Sequence, residues 1–132
     1  MTLRSLSLRF TGIVALMFSS SVVAADLWSL TKLADTSQTS QRVAEVVIND
    51  AVLEAIMVGE SVTIPMPSKR ADFQLSMVTR HQGGGTSFMG YSPPNHRIQF
   101  SNRFGDFDVK LQSGDQNYVV VAENERLFLV LQ

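Results

Sequence analysis

Cysteine is missing altogether from the 132 residues. Exported domains of this size often rely on disulfides, so this one has to be held by packing and hydrogen bonds alone. The same absence excludes the lipid-bearing cysteine of a bacterial lipoprotein and leaves no thiol as nucleophile or metal ligand. Histidine occurs only twice, as His81 and His96. A closed zinc site takes four ligands and a catalytic one three, commonly from a histidine pair at helical spacing. With no H-E-x-x-H stretch, no metal and no cofactor are expected. Basic excess is lacking too: the chain has 11 basic and 12 acidic residues. Nucleic acid would want a basic face, so it is not expected as a partner.

Long apolar runs are equally scarce. One stands at the start, Phe10 to Phe18, behind Arg4 and Arg9 and ahead of Val23, Ala24 and Ala25. That order is the pattern of a secretory signal peptide, expected over residues 1–25 with cleavage after Ala25. A membrane anchor needs about 20 apolar residues, and Ser19, Ser20 and Ser21 stop this run after nine. The remaining 107 residues suffice for one domain and not for two. Nine basic against twelve acidic residues give them a charge of about −3. The expected location is the periplasm or the outside of the cell, with no membrane contact after cleavage.

Residues 26–42 open with Leu27, Trp28, Leu30 and Leu33 and then lose all apolar content from Thr36 to Arg42. A docking segment and linker are expected there, with a single β-rich domain over 43–132. "RVAEVVI" alternates as a half-buried strand does. In "NDAVLEAIMVGE" the apolar residues Val52, Leu53, Ile56 and Met57 fall at helical spacing. Asn49 or Asp50 can cap the start and Gly59 can close the end of about two turns. Seven short alternating segments follow: "SVTIPM", "DFQLSMVTR", "TSFMGY", "HRIQFSN", "DFDVKL", "NYVVVA" and "RLFLVLQ". The fold class is therefore mainly β: an antiparallel sandwich or partly open barrel of seven to eight short strands with one short helix. Pro65 and Pro67 cannot donate to a ladder, so their strand ends there or lies on an edge.

The glycine run of "HQGGGTSFMGY" has neither the lysine nor the helix of a phosphate-binding loop. Glycine between alternating segments is what a hairpin needs where positive φ occurs. Asp106, Asp108 and Asp115 match no ordered calcium loop, and the alternating Asp106 and Asp108 read as a solvated strand face. There is no G-x-S-x-G elbow and no cysteine, and neither histidine is placed by spacing near a serine. An enzyme is not expected. The candidate partner-binding residues are the hairpin tip Gln82, Gly83, Gly84, Gly85 and Thr86, with Phe88, Tyr91 and Trp28 as aromatic anchors. For Phe88 and Trp28 the competing reading is ordinary core packing.

The order "LW.L", "RVAEVVINDAVLEAIM", "SVTIPMP", "TRHQGGGTSFMGY" and "FGDFDVKL...NYVVV" resembles the N-terminal prodomain-like region of secreted bacterial zinc metalloproteases of the metzincin type. Gly83 to Gly85 stand where that region has an Asn-Gly turn, and Phe88 where a Trp is common. The protease domain with its zinc helix has no counterpart, so no catalytic residue carries over. The resemblance implies a free-standing domain that inhibits a secreted metalloprotease or helps it fold. The alternative is a structural component of the envelope or of an extracellular appendage, pairing through sheet edges. Its starting point would be "RLFLVLQ", read as an exposed last strand.

Overall fold

The computed structural model describes residues 25–33 and 41–132. The signal-peptide reading and most of the expected linker fall outside the described residues. Nine strands and one helix follow in order: β1 Trp28–Lys32, β2 Arg42–Ile48, α1 Asp50–Ala55, β3 Ser61–Met66, β4 Lys69–Arg80, β5 Gly85–Ser92, β6 His96–Arg103, β7 Asp106–Ser113, β8 Gln116–Glu123 and β9 Arg126–Leu131. They form one antiparallel sheet in the order β1-β2-β9-β8-β7-β6-β5-β4-β3. The two end strands approach each other, so the sheet curls into a nearly closed barrel. Of the two architectures the sequence allows, this is the barrel.

Period-2 alternation explains the curl. Phe73 and Leu75 of β4, Phe88 of β5, Ile98 and Phe100 of β6, and Val109 and Leu111 of β7 all turn inward and are buried. Phe88 stacks on Phe100 at 4.8 Å between ring centres, and Phe107 meets Phe100 edge-on at 6.1 Å. Gly90 also faces inward, where a Cβ would lie 3.2 Å from both Leu75 and Phe73. Its missing side chain is the space those two occupy.

Two expectations are corrected. Residues 27–32 belong to the sheet: β1 pairs with β2 from Trp28–Ile48 to Lys32–Ala44, and Leu27 and Trp28 sit in the core. Trp28 and Leu30 share a face by alternation, which suits a short strand as well as a docking segment. The last strand is not an edge either. β9 lies between β2 and β8, because the chain before the helix returns to cover it. Phe128 on its outer face is flanked by the guanidinium groups of Arg42 at 4.3 Å and Arg126 at 5.2 Å. Arg42 in turn pairs with Glu123, while Arg126 grips Glu45 with two hydrogen bonds of 2.7 and 3.0 Å.

The helix is shorter than its apolar spacing suggests. Asn49 Oδ1 accepts from the Val52 amide and caps the start, but Ile56 is already extended and Met57 is exposed. Gly59, with φ +90°, belongs to the turn beyond. What ends the helix is Arg80 of β4. Its guanidinium donates to the carbonyls of Leu53 (2.9 Å), Glu54 (3.0 Å) and Ile56 (2.6 Å) and to Thr86 Oγ1 (2.9 Å). These are carbonyls that a helix end leaves without partners, and a charge-assisted donor satisfies them well.

The barrel closes by a different bond pattern. β1 and β3 run parallel at the seam and share a single bridge, Asp26 with Thr63, in which the Leu27 amide donates to the Thr63 carbonyl at 2.9 Å. Continued as a parallel ladder, β3 would next donate the amide of residue 65 to the Leu27 carbonyl and, after one bond from β1, the amide of residue 67. Both residues are prolines and have no N–H to give. The Leu27 carbonyl accepts from Asn49 instead, at 2.8 Å. The Pro65 carbonyl takes the indole N–H of Trp28, also at 2.8 Å. Beyond that point no further hydrogen bond joins β1 and β3 among the described residues.

Candidate functional site

The glycine run is the tip of the β4–β5 hairpin. His81 N donates to the Gly85 carbonyl at 3.0 Å and Gly84 N to the His81 carbonyl at 3.1 Å. Gly83, Gly84 and Gly85 all have positive φ, at +91°, +123° and +105°, a region that side chains rarely enter. At Gly85 there is a second reason for glycine: a Cβ would stand 1.9 Å from the Asn102 carbonyl oxygen of β6. At Gly83 the neighbour is the ring of Phe104, 2.8 Å from where a Cβ would be. The tip therefore leans on the adjoining β6–β7 turn.

Phe104 occupies that turn in an unusual state. It is 70 % exposed and adopts φ +56°. Asn102 Oδ1 accepts from Gly105 N at 3.2 Å and fixes the turn. A two-residue turn of this hand prefers Asn or Asp before its glycine; a bulky side chain there is a conformational outlier. No sequence signal marks Phe104, because nothing in "NRFGD" says that the phenylalanine will point outward.

The residues proposed from the sequence separate into two groups. Gln82, Gly83 and Gly84 are exposed at the tip and Tyr91 is exposed on the outer face of β5. Gly85 is half-buried against β6, and Thr86 is buried and spends its hydroxyl on Arg80. Trp28 and Phe88 are both only 1 % exposed, so the packing reading holds for them and the anchor reading is withdrawn. Phe88 lies inward by the same alternation that turns Met89 and Tyr91 outward.

Met89 and Tyr91 do not stand alone. Met77 of β4 is Met89's cross-strand partner and is exposed as well. Met57 and Val58, both exposed, lie in a turn held against β4 by Gly59 N to the Leu75 carbonyl at one side and Arg80 to the Ile56 carbonyl at the other. The register of β4 shifts between Leu75 and Met77, a bulge that bends the strand. Next to it the outer surface is hollowed into a groove of 490 Å³ lined by Met89, Tyr91, Arg97, Gln99, Lys110 and Gln112. A hollow of 230 Å³ shares Met89, Gln99 and Lys110 and reaches Met77, Ser87, Ser101 and Asp108.

One hydrogen-bond chain in this region bears on catalysis. His81 Nε2 lies 2.6 Å from Ser87 Oγ, which donates to Ser101 Oγ at 2.9 Å. Sequence spacing carries no sign of this pair. Ser87 lies within β5, paired with Thr79 on one side and Ser101 on the other. Its strand amides are thus engaged in the sheet and do not form an oxyanion pocket. The other histidine, His96, is 5 % exposed, with Lys69 Nζ 3.4 Å from its Nε2. Its Nδ1 is buried without a hydrogen-bond partner among the described residues. Burial, and secondarily the charge of Lys69, pushes its pKa below the ordinary value. Among the described residues no three His, Asp or Glu side chains gather as a metal site. No helix there is long and apolar enough to cross a membrane.

Comparison with known proteins returns no match: no family model, no curated protein and no solved structure matches the chain.

Proposed function

We propose that this chain is an exported protein-binding module, and that it docks its partner through the outer face of β4–β5 and the adjoining tips at Gln82–Gly84 and Phe104. The observation that carries this is Phe104. An exposed aromatic in the left-handed region costs the fold about 1 kcal/mol and returns nothing to the core. Strain of that kind gathers at functional sites. Aromatic side chains dominate interface energetics, and the neighbouring Met77 and Met89 offer the adaptable surface that methionine gives. The partner class follows from the resemblance noted in the sequence: a secreted metalloprotease that the module inhibits or helps to fold. With no thiol to bind the metal, inhibition would act through a carboxylate or by steric cover.

The test separates docking from folding. Phe104→Asn should raise stability by about 0.5–1 kcal/mol, because Asn suits the turn. It should also weaken capture of the secreted protease, and inhibition of it, at least tenfold. Unchanged capture by a variant that is more stable would sink the proposed surface. An absence of any effect of the native protein on secreted proteolysis would sink the partner class. The alternative, assembly through sheet edges, loses the strand it was built on, since β9 is interior.

A further inference from the structure

We propose that the open seam between β1 and β3 is a binding site for a single-chain amphipath with an anionic head group, of the fatty-acid class. The inference does not rest on the docking surface, which lies on β4–β5. Below the Asp26–Thr63 bridge the two strands part and leave an opening of 750 Å³, inside the range of about 300–1,000 Å³ typical of small-ligand sites. The opening is written into the chain: the two prolines delete the next two donors that β3 would have offered across it.

Its floor is apolar and belongs to the barrel interior. Leu30, Val43, Ala44 and Met66 line it, and Ala44 and Met66 are otherwise buried. Its rim is cationic: Lys32, Arg42 and Arg70 against a single acid, Asp26. Two of those cations are engaged, Arg70 with Asp26 at 2.7 Å and Arg42 with Glu123. Lys32 differs. By alternation it stands on the inward face of β1, after Trp28 and Leu30 and opposite Ala44. Yet its side chain is exposed, and it makes no ion pair among the described residues. A lysine at an inward register position reaches the mouth by extending its stem along apolar surface. An alkyl chain laid on Leu30, Ala44 and Met66 would bring a carboxylate to that ammonium.

The chain carries its own reporter. Trp28 is the single tryptophan, and its indole is hydrogen-bonded to Pro65, a residue of the opening. Emission of the intact protein is followed while dodecanoate is added below its critical micelle concentration. Dodecanol serves as the uncharged control, and vesicles of phosphatidylglycerol present the same charge on a surface. The expected result is a saturable change with dodecanoate, and binding at least tenfold weaker for dodecanol. Lys32→Glu should likewise weaken dodecanoate binding at least tenfold, while Lys32→Arg retains it. Lys32 is exposed, so its variants should fold. No saturable change, or equal binding of dodecanoate by Lys32→Glu, would overturn the site. So would binding to the vesicles alone, which would mark a charged surface and not a cavity.

Discussion

Eight of the nine strand junctions in this barrel are antiparallel ladders, and the ninth is one parallel bridge. The ladders can run long: β6 and β7 stay in register from His96–Ser113 to Arg103–Asp106. At the seam the same chemistry fails after one rung, and the next two donors that β3 would offer are prolines. Closure of a sheet is thus a matter of which amides exist, as much as of curvature.

The largest break is expected in the ladder region. Gly85→Ala puts a methyl group 1.9 Å from the Asn102 carbonyl at a φ that alanine tolerates poorly. A loss of about 3 kcal/mol is expected from clash and strain together, read as a shift of the urea midpoint. Arg80→Met comes next, since it strips the helix end of a donor that serves three carbonyls. About 2 kcal/mol should go, with early amide exchange confined to residues 50–60.

At the seam the change runs in the other direction. Pro65→Val together with Pro67→Thr restores both donors and should add a slowly exchanging amide at position 65. Net stability should move by no more than about 1 kcal/mol, because the new hydrogen bonds are offset by the lost stiffness of proline in the unfolded chain. Exchange at residue 65 as fast as in an unfolded peptide would refute the donor account of the open seam.

The smallest effect is a pH dependence from His96, at the same end of the barrel as the open seam. Its pKa is depressed in the folded state from an ordinary 6.5, so the unfolded chain takes up a proton first as pH falls. The stability from a neutral His96 is complete above about pH 6.5 and is lost as pH falls through the folded value. The melting temperature should drop over that window in the native protein, and less so in His96→Gln. Identical profiles would assign the drop to the carboxylates.

Most of the strands were legible because alternation and turn residues agree: each of the seven segments after Gly59 forms a strand. The prolines were legible too, since β3 is the edge they require. Three things were not. β1 is five residues long and runs into polar sequence, so its pattern resembles a docking segment. Arg80 reaches helix carbonyls 24 to 27 positions away, a contact set by tertiary structure alone. Phe104 shows its role only through the sign of one backbone angle. In the candidate site the glycine tip was therefore visible, while its aromatic neighbour was not. For Trp28 and Phe88 the sequence left core packing and anchoring both open, and burial decides for packing.

The placement of β9 also governs when the molecule can be finished. β9 lies between an early strand, β2, and its own predecessor, β8, so the β1–β2 pair joins the β8 side of the sheet only through residues 126–131. Closing the sheet is thus a long-range event: it joins segments about 80 residues apart, and the β3–β8 meander can form before it.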